Sequence, residues 1–102
     1  MKKSITNPID ILEQRFKAII KRMPKEFKFH RFVRTLARLH QHEYIDSLVH
    51  FEGLKQPFRA LHAELERRLH TGSYRLALVN SKEPSEDIFG TQSHCGKWRK
   101  PS

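Results

Sequence analysis

From Ile9 to Leu69 the apolar side chains of this chain recur every three or four positions, and past Gly72 they alternate. A period near 3.6 buries one stripe of a helix, whereas a period of two buries one face of a strand. The chain is therefore expected to be helical first and extended last, with prolines dividing the helical part. Asn7 is a good N-cap, Pro8 fits the first helical position, and Asp10 puts a negative charge in the first turn. Ile9, Leu12, Phe16, Ile19, Ile20 and Met23 then form one stripe, which Pro24 ends.

A second helix is expected from near Phe29, where Phe29, Phe32, Val33, Leu36 and Leu39 share a face. His40 to Glu43 contain no Gly or Pro, so Tyr44, Ile45, Leu48 and Phe51 either continue that helix or begin a third after a tight bend; we favour a third, stopped by Gly53 in a left-handed cap. Pro57 opens a fourth helix, with Phe58, Leu61, Leu65 and Leu69 inward as far as about His70. Glu64 and Arg68 stand four apart in the supporting order, and Thr71-Gly72 ends the run. Tyr74, Leu76 and Leu78 then face one way and Arg75, Ala77 and Val79 the other, which reads as a strand. Past Asn80 the chain turns polar, and a short strand around Lys97 to Lys100 is expected to pair back across a long loop.

These readings give a mainly α fold class: a small four-helix domain with a short C-terminal β-strand or hairpin. Helix, turn, helix, strand and return strand is also the order of elements in a winged helix-turn-helix domain. The expected division is an N-terminal extension over 1–6, a helical domain ending in a strand over 7–80, and a polar C-terminal segment over 81–102 docked through Ile88, Phe89 and Trp98. At 102 residues there is room for one core. A lone Cys95 excludes an intramolecular disulfide, and the opening MKKSITNPID reaches charge before any apolar run. The expectation is a cytoplasmic chain with no membrane partner.

The net charge of +9 is concentrated. Between residues 15 and 38, Arg15, Lys17, Lys21, Arg22, Lys25, Lys28, Arg31, Arg34 and Arg38 face a single acid, Glu26. Amphipathic helices need solvated faces, and Lys and Arg serve for that, but a merely solvated face mixes signs because like charges at helical spacing repel. A one-sign block attracts polyanions. We therefore expect a small DNA-binding or other nucleic-acid-binding domain, with phosphates held by Arg15, Lys17, Lys21, Arg22, Lys28, Arg31, Arg34 and Arg38. Arg59 and His62, on the helix after the turn, are the candidates to reach bases, although Glu64 and Glu66 leave that helix nearly neutral. The alternative is a non-catalytic protein-interaction or adaptor module, homodimeric or binding an acidic protein partner.

Other chemistry finds little support. His62, Glu66 and His70 recur every four residues, a spacing that suits metal ligands, but the chain has one thiol and no zinc spacing, so no metal and no cofactor are expected. His94 beside Cys95 is not a nucleophile and base, because neighbours on an extended segment point apart. With four glycines and no phosphate loop, the chain is not expected to be an enzyme.

Overall fold

The computed structural model describes residues 7–101. Its elements, in chain order, are α1 (Pro8–Glu13), α2 (Phe16–Arg22), β1 (Glu26–Lys28), α3 (Phe29–Leu39), α4 (Gln41–Val49), α5 (Pro57–Thr71), β2 (Ala77–Glu86) and β3 (Gln92–Arg99). The three strands form one antiparallel sheet in the order β1-β3-β2. The fold class is thus helices packed with a sheet, and the mainly α expectation gives way to a mixed one. The expected N-terminal extension over 1–6 lies outside the described residues.

The Asn7 side chain caps α1 by accepting the Ile9 N–H at 2.8 Å, with Pro8 behind it at the first helical position. The single helix expected up to Met23 is interrupted. The N–H groups of Gln14 and Arg15 reach back three residues, to Ile11 and Leu12, which tightens the turn between α1 and α2. The apolar stripe survives the interruption, since Ile9, Leu12, Phe16, Ile19 and Met23 are all buried. His40, with φ −130° and ψ 59°, leaves the helical region and divides α3 from α4, as the two-helix reading expected.

Three local readings are corrected. The left-handed cap at Gly53 is absent: α4 ends at Val49, and Gly90 is the only glycine of positive φ among the described residues. Ile45, placed among the inward residues of α4, points outward. The hairpin loop is short, since β2 runs to Glu86 and β3 begins at Gln92. The boundary drawn at residue 80 falls inside β2, whose polar second half has no apolar alternation to announce it. Pairing with β3 holds that half in place, Pro84 standing opposite His94. Pro84 is tolerated because β2 is an edge strand, where a missing N–H breaks no second ladder.

The core lies between the sheet and the helices. Phe16 and Phe32 meet edge to face at 5.0 Å, and Leu61, Leu65 and Leu69 close it from α5. Trp98, on the central strand, is buried with Phe27 opposite it on β1. Of the three residues expected to dock the C-terminal segment, Trp98 is buried, Ile88 packs partly against the core, and Phe89 is 61% exposed. Lys100 ties the chain end to α2 by donating from Nζ to the Ile20 and Met23 carbonyls at 3.2 and 2.8 Å. No helix among the described residues is long and apolar enough to cross a membrane.

Candidate functional site

The exposed side of α3 carries Arg31, Arg34 and Arg38 at intervals of three and four, so they stand on one face. That face borders the sheet. Together with Lys28 and Lys97, the three arginines line an open depression of about 720 Å³ floored by Phe27 and edged by Ser85 and Glu86. The Lys28 Nζ donates to the Pro84 carbonyl at 3.0 Å, fixing the start of α3 against β2. Glu26, the one acid of the basic block, is turned to Arg99 at 2.6 Å and Lys97 at 3.5 Å. Hydrogen bonding from Arg99 holds its carboxyl below the ordinary range. Arg31, Arg34 and Arg38 have no ion-pair partner among the described residues.

The other half of the basic block does not join them. Arg15 pairs with Glu43 at 2.9 Å and ties the α1–α2 turn to α4. Lys17, Lys21 and Arg22 are exposed on α2 but line neither this depression nor the one described next. Lys97 joins the group from 59 residues past Arg38, brought there by the pairing of Lys28 with Lys97 across β1 and β3. Its sequence signal was the alternation that turns Lys97 outward where Trp98 turns in.

Arg59 and His62 line a second open depression of about 720 Å³, between the start of α5 and the β2–β3 loop. His30 borders both depressions. Arg59 is exposed, with Gln56 3.4 Å away. His62 instead faces Tyr44, its Nε2 lying 2.7 Å from the Tyr44 hydroxyl. Burial pushes the imidazole down to about 4 and the Tyr44 hydroxyl up to about 12, so both are neutral near pH 7. His62, Glu66 and His70 have separate partners: Tyr44, the Gly96 N–H at 3.0 Å, and the Trp98 ring at 5.5 Å. No group of three or more His, Cys, Asp and Glu placed to hold a metal ion occurs among the described residues. Cys95 is buried, which raises its thiol above the ordinary value.

No protein-family model matches the chain, and neither a curated protein nor a solved structure matches it.

Proposed function

We propose that the chain is a nucleic-acid-binding domain whose α3 face holds the phosphate backbone. The observation that carries this reading is the convergence of Arg31, Arg34 and Arg38, none in an ion pair among the described residues, with Lys28 and Lys97 in one depression. Guanidinium groups that no carboxylate neutralises keep their full attraction for phosphate, and their planar forks donate to its oxygens bidentately. Arg15 plays no part in this, being spent on Glu43. The element order and the sheet order β1-β3-β2 support a winged helix-turn-helix layout, with α5 as the helix after the turn and β2–β3 as the wing.

Titrating a labelled oligonucleotide by fluorescence anisotropy at several salt concentrations tests the reading. Affinity should fall steeply with salt, because each neutralised phosphate releases counterions. The triple variant Arg31→Gln, Arg34→Gln, Arg38→Gln should bind weakly and lower the slope of log K against log salt by about 2 to 3. An unchanged slope would remove α3 from the interface.

A second reading, a self-associating protein-interaction module, rests on Ile45 and Val49, one turn apart on α4 and 53% and 52% exposed. The two readings separate on purification. Nucleic acid that co-elutes at low salt and leaves at high salt belongs to the first, and a clean dimer to the second.

A further inference from the structure

The two depressions have equal volumes and opposite characters. The one beside α3 has Lys28, Arg31, Arg34, Arg38 and Lys97 against Glu26 and Glu86. In the one beside α5, Lys55 and Arg59 are balanced by Glu66 and Asp87, and the rest of the lining is uncharged or imidazole, with three phenylalanines in it. A balanced pocket has no reason to collect phosphate. Its acids are also occupied: Asp87 accepts the Phe89 and Thr91 N–H groups at 2.9 Å each, and Glu66 accepts that of Gly96.

Exposed aromatic surface and exposed polar side chains remain along this pocket. Phe58 and Phe89 meet edge to face at 4.8 Å, an arrangement that uses one edge and one face. With Phe89 61% exposed, ring area is left open to solvent. Exposed Ser93 and His94 line the pocket's side and can reach a polar edge, while His30, whose Nδ1 is buried with no hydrogen-bond partner among the described residues, lies beneath. Burial also keeps His30 and His62 biased toward the neutral form. An aromatic platform beside neutral hydrogen-bonding groups fits a nucleobase, which presents a π face and a polar edge.

We propose that the pocket between α5 and the β2–β3 loop receives an unpaired base, so that the partner of the α3 face is a single strand. The inference rests on the phosphate-binding reading above. His30 separates the two depressions, so a strand whose phosphates follow Arg31, Arg34 and Arg38 passes beside the pocket. In a duplex the bases are stacked and paired and cannot enter.

Anisotropy titrations with a single strand of about 12 nucleotides, an abasic strand of the same length and the matching duplex test this. Phosphate attraction alone favours the duplex, whose charge density is higher, so preference for the single strand requires base contact. The expected result is tighter binding of the single strand than of the duplex or the abasic strand. Phe89→Ala, at an exposed loop position, should weaken the single strand about tenfold and leave the duplex little changed. A duplex bound as tightly as the single strand or tighter, with Phe89→Ala without effect, would overturn the base pocket and leave the phosphate reading standing. Binding of none at low salt would overturn both.

Discussion

His62 shows how one side chain changes role once its neighbours are known. As a polar residue on a helix after a turn it is a candidate for base contact, but packing turns it to Tyr44 and lowers its proton affinity to about 4. The unfolded chain takes up that proton below about pH 6.5, and the folded chain only near pH 4. Within that window the unfolded state binds more protons, so stability falls as the pH falls. His30, also lowered by burial, acts in the same direction. His62→Gln keeps a polar partner for Tyr44 but cannot titrate. Its stability should depend less on pH between 6.5 and 4, with a slope smaller by up to about 1.4 kcal/mol per pH unit in urea unfolding. Equal slopes in the two proteins would assign the proton uptake elsewhere.

Among the elements, α1 and α5 are joined through a single arginine. Arg68 on α5 reaches Glu64 at 2.8 Å on its own helix and Glu13 at 3.0 Å and Asp10 on α1. The Tyr74 hydroxyl donates to the far oxygen of Glu13 at 2.8 Å, extending the network towards β2. The spacing of Glu64 and Arg68 was legible in the sequence, whereas the bonds to α1 span 55 and 58 residues. Arg68→Met should cost about 2 kcal/mol in urea unfolding, because it leaves these carboxylates facing one another. A loss within a few tenths would mean that water and Arg67 replace it. Arg67, and after it Arg68, hold the Glu64 carboxyl down at about 2. A carboxyl lowered in this way stabilises the fold above its unfolded value near 4.5, and that contribution disappears as the pH falls towards 2. Its first partner, Arg67, is 59% exposed, so solvent screening keeps this share small.

For the whole molecule, the central strand decides whether helices and sheet form one cooperative unit. Trp98 stands opposite Phe27 on β1 and Leu78 on β2, and its ring is against His70 on α5. Trp98→Ala removes the largest side chain at this junction. A cost of about 3 kcal/mol or more is expected, with sheet and helix signals lost in one transition by circular dichroism. If the helical signal persisted after the sheet had melted, the helical layer would be stable without the hairpin.

The helices were legible because their information is local. The stripe from Ile9 to Met23, the Asn7 cap and the Pro57 start depend on residues no more than four positions apart, whereas nothing local marked the break at His40. The pairing of 97–99 with Ala77 and Leu78 was expected, but the alternation from Tyr74 was not kept: β2 begins at Ala77, and Leu78 and Val79 are both exposed. Only the tertiary structure decided the remainder. β1 is three residues long, too short to show a period, and the polar half of β2 is a strand because β3 lies beside it. The basic block divides for the same reason. Arg15 meets Glu43 from 28 positions away, while Arg31, Arg34 and Arg38 form no ion pair among the described residues and gain Lys97 from the sheet. A sequence determines how much charge a segment carries, but which of those charges remain unneutralised depends on where the chain brings the acids.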